Sequence, residues 1–104
     1  METVHVVAIV TARPGKRAEL LEAFKANVPN VHAEDGCIEY VATVDAEDAG
    51  SVQTKFGADT FVVVEKWASL DTLKAHAAAP HMAAYAARTK DLIASRSIHV
   101  LSPV

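Results

Sequence analysis

Two kinds of hydrophobic spacing take turns along this chain. Val4 to Thr11, "VHVVAIVT", is short, rich in β-branched residues, apolar on both faces, and ends at the turn signal "RPGK", which predicts a strand. From Lys16 the spacing becomes helical: Leu20, Phe24, Val28 and Val31 form one stripe, while Lys16, Arg17, Glu19, Glu22 and Lys25 point elsewhere. Pro29 removes a backbone donor inside this helix, so a kink or break is expected near Val28, with a short resumption through His32 that stops at Gly36. Cys37 to Asp45 alternates again, with Ile38, Tyr40, Ala42 and Val44 on one face and Cys37, Glu39, Val41 and Thr43 on the other. Ala46 to Asp59 is polar, glycine-bearing and long for a hairpin, which marks it as mobile or functional. Thr60 to Trp67 is a third strand, with Phe61, Val63, Glu65 and Trp67 sharing a face. Ser69 can cap a helix from Leu70 to about Ala78, Pro80 can open another through about Ala94, and "SIHVLSPV" closes the chain as a short strand.

The order β, α, β, β, α, β is the split βαβ, or ferredoxin-like, arrangement: an α+β fold with an antiparallel sheet and both helical layers on one face. Residues 1–104 form one domain, since a chain of this length can bury a single modest core. Helices cover one sheet face only, yet the first and third strands are apolar on both. The economical cover is a second copy of the chain packed sheet against sheet, so a homodimer is expected.

The net charge of −3 and the scattered placement of ten Lys and Arg give no footprint for a phosphate backbone, so nucleic acid is not expected as a partner. The first residues carry no basic segment ahead of an apolar run, and that run is about half a membrane span. Neither a signal peptide nor a membrane anchor is expected. A lone Cys37 cannot form an internal disulfide, which fits a reducing compartment and a cytoplasmic location.

Four stretches, "RPGKRAELLEAF", "EDGCIEY", "VEKWASLDTLKAHAAAPHMAAY" and the closing "SPV", resemble the antibiotic biosynthesis monooxygenase superfamily, small dimeric α/β-barrel proteins that include cofactor-free quinol monooxygenases. The third stretch, with its Glu, Trp and two His, is the specific one, and the resemblance spans nearly the whole chain. Asp35 stands where the family commonly has Pro, and "SVQTKFGADT" is a longer, more polar insert than usual. The resemblance implies a monooxygenase that uses O2 without metal or flavin on a small phenolic, quinol or polyketide-like aromatic substrate. Triplet oxygen reacts slowly with closed-shell organics, so the substrate must itself become an electron-rich anion. The protein then supplies a base and a dry pocket, and a His titrating near neutrality can take the phenolic proton.

On that reading His76 and His81, which flank "AAAP", are the catalytic candidates, and Trp67, Tyr85, Arg88, Glu65 and Tyr40 the substrate-binding ones. Trp67, His76, His81 and Tyr85 are expected to line one pocket, with Arg88 beyond Tyr85 on the same helix face. Each has a structural alternative: a His capping a helix end, a core Trp, a solvated Arg, a Glu65 carboxylate bonded to a nearby donor. Metal ligation is the weaker reading, because the two His lack HExxH spacing and no third ligand is evident. His5, His32 and His99 read as structural, and Cys37 lacks the basic neighbours that make a thiol nucleophilic. The haem-degrading branch carries an Asn in the first strand and a Trp about where His76 stands, which counts against haem. An autoinducer-processing isomerase-like enzyme, or a dimeric ligand-binding or stress-associated module, would use the same scaffold.

Overall fold

The structure, a computed structural model, describes residues 2–104. Strand β1 (Val4–Ala12) leads to helix α1 (Arg17–His32), strand β2 (Cys37–Thr43), strand β3 (Thr60–Trp67), helices α2 (Leu70–Ala77) and α3 (Pro80–Thr89), and strand β4 (Ile93–Leu101). The four strands form one antiparallel sheet in the order β2-β3-β1-β4, and the fold is ferredoxin-like. The register sorts the faces. Val6, Ala8 and Val10 of β1 lie beside Glu65, Val63 and Phe61 of β3 and point toward the helices, where Leu20, Phe24 and Val31 of α1 close the core. Val7, Ile9, Val62 and Val64 point to the opposite, uncovered face and are only half-buried. Among the described residues no helix is long and apolar enough to cross a membrane.

Four expectations need correcting. Helix α1 runs unbroken through Pro29. Proline removes only its own donor, to the carbonyl of Lys25, and Lys25 lies on an exposed turn where water can take that bond. The buried stripe of α1 also takes in Asn27, between Phe24 and Val31, while Val28 packs half-buried against the core. In β2 the register shifts between Cys37 and Glu39, so Cys37 pairs with Trp67 and packs on the core while Ile38 is exposed. One extra residue in the strand reverses the alternation before it. Finally, α3 ends at Thr89, a single 3₁₀ turn covers Lys90–Leu92, and β4 begins at Ile93. Pairing with β1 draws the polar stretch "ASRS" into the sheet, since an edge strand needs no alternation to keep its ladder.

The link from β3 to α2 forms as its residues dictate. The Ser69 hydroxyl accepts from the Thr72 amide at 3.2 Å, and the Thr72 hydroxyl accepts from the Ser69 amide at 3.1 Å, a reciprocal cap. Gly36, at φ +81°, sits against this cap: a Cβ there would lie 2.6 Å from the Thr72 side chain. The 46–59 segment is held at its ends. Asp45 accepts from the amides of Phe56 (2.9 Å) and Gly57 (2.8 Å), which hold its carboxyl below the usual range. Asp59 accepts from the Gly15 amide at 3.0 Å.

Helices α1 and α2 pack over β1, β2 and β3, and α3 packs on α1, which leaves the helix-side face of edge strand β4 uncovered. Arg96, Ile98 and Val100 therefore extend the floor of the sheet beyond the helix layer, with Ile98 53 % and Val100 49 % exposed. The trough created there forms a cavity between the sheet and the helices.

Candidate active site

This cavity has a volume of about 530 Å³, within the range of roughly 300–1,000 Å³ usual for small-molecule sites. Valines and Ala8 from the sheet, Phe24 and Phe61, and Leu73, Met82 and Ala86 from the helices make most of its wall apolar. Polar groups are few: His76, Glu65, Tyr40 and Tyr85, with Lys74 from the helix side and Arg96 from the sheet side. An aromatic ring can be desolvated here against a small number of directing groups.

His76 occupies the last turn of α2 and is 6 % exposed. Its ring lies between the indole of Trp67, at 4.6 Å between centroids and tilted by 33°, and the edge of Tyr40 at 5.4 Å. Nδ1 is 2.8 Å from Oε2 of Glu34, in the turn between α1 and β2. A carboxylate only accepts, so Nδ1 carries the proton and donates, which leaves Nε2 as the acceptor nitrogen. His81, at the start of α3, brings Nε2 to 3.3 Å from the same oxygen, out of line for a hydrogen bond, while its Nδ1 is 3.2 Å from the Asn27 amide nitrogen. Both imidazoles thus converge on one carboxylate oxygen. The shared point is a hydrogen-bond acceptor, and among the described residues no group of three or more His, Cys, Asp or Glu that could hold a metal ion is found.

Glu65 and Trp67 are two residues apart on one strand face, and the indole Nε1 donates to Glu65 Oε1 at 2.9 Å. Burial raises the Glu65 carboxyl above its ordinary value, and this bond opposes the shift. A carboxyl whose folded-state value is raised adds stability that is complete below its unfolded value and is lost as pH rises through the folded one. Glu65→Gln, which keeps the oxygen for Trp67 and removes the charge, is therefore expected to raise the melting temperature at neutral pH. The gain should vanish below the ordinary carboxylate range of about 4. Paired thermal melts at the two pH values check this; a Gln variant less stable at neutral pH would contradict it. Burial likewise raises the phenols of Tyr40 and Tyr85, the latter against the opposing pull of Arg96 and Arg88. Burial and the nearby Glu34 raise the Cys37 thiol, the opposite of nucleophile activation.

The structure thus places His76, Glu65, Tyr40 and Tyr85 on the cavity wall. Trp67 and His81, expected beside them, do not line the cavity: Trp67 is fully buried under His76, and His81 stands beside Glu34 and Asn27. Arg88 is exposed and outside the cavity, because α3 presents Tyr85 and Ala86 inward; the lining guanidinium is that of Arg96. The 46–59 segment contributes no lining residue. Glu34, Asn27, Lys74 and Arg96 escape the sequence reading. Asn27 alone left a local sign, a polar residue three after Phe24 and four before Val31 on a buried helical stripe.

A family model described as antibiotic biosynthesis monooxygenase matches residues 3–88. The chain is 36% identical over 100 residues to the protein named probable quinol monooxygenase YgiN of Escherichia coli K12, an alignment covering 94% of this chain and 95% of that one. Among solved structures, Rv0793 of Mycobacterium tuberculosis superposes with a TM-score of 0.80 at 27% identity, over 98% of this chain and 95% of that one. PA3566 of Pseudomonas aeruginosa does so with 0.81 at 23% identity, over 100% and 96%, a likeness of fold. With the family match running from β1 into α3, across both histidines and every cavity-lining element but β4, and the relative's alignment covering 94% of the chain, the chain belongs to the antibiotic biosynthesis monooxygenase family.

Proposed function

We propose that this protein is a cofactor-independent monooxygenase that oxidises a small phenolic or quinol substrate with O2, with His76 as general base. The observation that carries the proposal is an apolar cavity with one imidazole on its wall, held through Nδ1 by a carboxylate so that Nε2 is the accepting atom. The quinol ring lies along the apolar floor, its hydroxyl toward His76, and Lys74 and Arg96 attract the phenolate that forms. For a hydroquinone the balance is simple: substrate and O2 give hydroxyquinone and water. One oxygen atom enters the ring and the other leaves as water with the two hydrogens lost by the substrate. The four electrons given up by the ring match the four that reduce O2. The proton that His76 takes from the hydroxyl returns to the departing oxygen, so the base is regenerated.

Oxygen uptake and product analysis on a panel of hydroquinones and polyphenols, with chelator present and no flavin added, tests this reading. Turnover of at least one quinol is expected; binding of aromatics without oxygen uptake would make the protein a ligand-binding module instead.

The homodimer is part of this proposal. The uncovered sheet face carries Val7, Ile9, Val62 and Val64 together with Val41, which is 44 % exposed. Such a contiguous apolar face suits burial against its own copy. Sedimentation is expected to give twice the chain mass at micromolar concentration, and a stable monomer would remove the dimer from the reading.

A further inference from the structure

We infer that Asn27 is a positioning residue that leaves His76 as the one imidazole of the pair able to take a proton, by occupying Nδ1 of His81 with an amide donor. The inference rests on the reading of His76 as base and concerns what selects it over its neighbour.

Asn27 is 5 % exposed on the buried stripe of α1, and a buried amide must be satisfied by its surroundings. Its oxygen accepts from the Asn30 amide nitrogen at 3.0 Å. The NH₂ end therefore faces α3, where it meets Nδ1 of His81 at 3.2 Å and the sulfur of Met82 at 3.5 Å. A thioether can only accept, which agrees with that orientation, and Nδ1 of His81 must then be an unprotonated acceptor too. The proton of neutral His81 then lies on Nε2, 3.3 Å from Glu34 Oε2 but not aligned with it for a hydrogen bond. A second proton could go only to Nδ1, where it would confront the N–H of Asn27. The titratable groups facing His81 are Glu34, from the α1–β2 turn, and His76 of α2 across it; α1 offers it only the amide of Asn27, itself bonded to Asn30. His76 has no such block, since its Nδ1–H is directed at Glu34 and, among the described residues, no group bonds its Nε2. The positive charge formed during turnover thus stays beside the cavity, paired with Glu34, and its proton can return to the reacting oxygens.

Ring-nitrogen NMR of the ¹⁵N-labelled full-length chain tests the placement directly. At pH about 8, above the ordinary histidine range, His81 is expected as the Nε2–H tautomer and His76 as the Nδ1–H tautomer. Asn27→Asp puts a carboxylate oxygen opposite Nδ1, and His81 should then show an imidazolium signature at a pH where the unaltered ring is neutral. A cationic His81 competes for Glu34, so kcat/KM for a quinol should fall about tenfold at neutral pH. Adding His81→Gln to Asn27→Asp should restore most of that loss, which a merely structural role for Asn27 would not allow. Finding His81 as the Nδ1–H tautomer in the unaltered chain overturns the inference, and that measurement stands even if the Asp variant fails to fold. A neutral His81 in a folded Asn27→Asp variant does the same. The predicted tautomers without any quinol turnover would instead sink the oxygenase reading and leave the role of Asn27 in place.

Discussion

Replacing His76 with glutamine is expected to lower kcat/KM for a quinol substrate between about a hundredfold and ten-thousandfold, the span associated with removing a general base. Glutamine can still offer an N–H to Glu34, so the buried carboxylate is not left without a partner and the fold should persist. The loss should fall mainly on kcat, because the apolar wall that binds the ring is untouched. His81→Gln in the unaltered background is the control. Its ring stands behind Glu34 and outside the cavity, so activity should change by no more than about threefold, well short of the loss of a base. Steady-state oxygen uptake on both variants decides the matter: equal losses would assign the base to the pair, and a larger loss at His81 would reverse the assignment.

Trp67→Ala is expected to be the most destabilising single change in the site. The indole is fully buried at the end of β3, lies against His76 at 4.6 Å, and supplies the donor to Glu65. Truncating a buried Trp costs about 3–5 kcal/mol, a large part of the roughly 5–15 kcal/mol that holds a domain together. The melting temperature should drop by at least about 12 °C for a chain of this size, at fixed protein concentration. Trp67→Phe should cost less, since most of the ring volume remains, yet leave Glu65 Oε1 without its donor at about 1–3 kcal/mol. Denaturant unfolding of both variants measures this, and an alanine cost under about 1 kcal/mol would show that the site collapses around the gap. Activity should fail with stability here, because the Trp67 ring backs the plane of His76.

The two predictions divide along a line also visible in how the chain is read. Trp67, Glu65 and the Ser69 cap belong to one short stretch, and their relation follows from strand alternation and helix capping, both local rules. His76 matters through Glu34, 42 residues away, and His81 through Asn27, 54 residues away. Glu34 looks like an ordinary acid before a glycine turn until α2 is laid across it.

The sequence alone determined the order of elements, the shared face of Phe61, Val63, Glu65 and Trp67 on β3, the cap of α2 at Ser69, the start of α3 at Pro80, and His76, Glu65, Tyr40 and Tyr85 among the pocket candidates. Each depends on the spacing of side chains within a few residues, which backbone geometry translates directly into a face or a cap. Only the tertiary structure decided that α1 continues through Pro29, that a bulge turns Cys37 inward, and that β4 starts at Ile93. It also decided that Arg96 and not Arg88 reaches the cavity, and that Asn27 and Glu34 stand behind the two histidines. These outcomes depend on which strand lies beside which and on where the helix layer stops short of β4. Contacts between distant segments set those relations, and no local pattern of hydrophobic and polar positions encodes them.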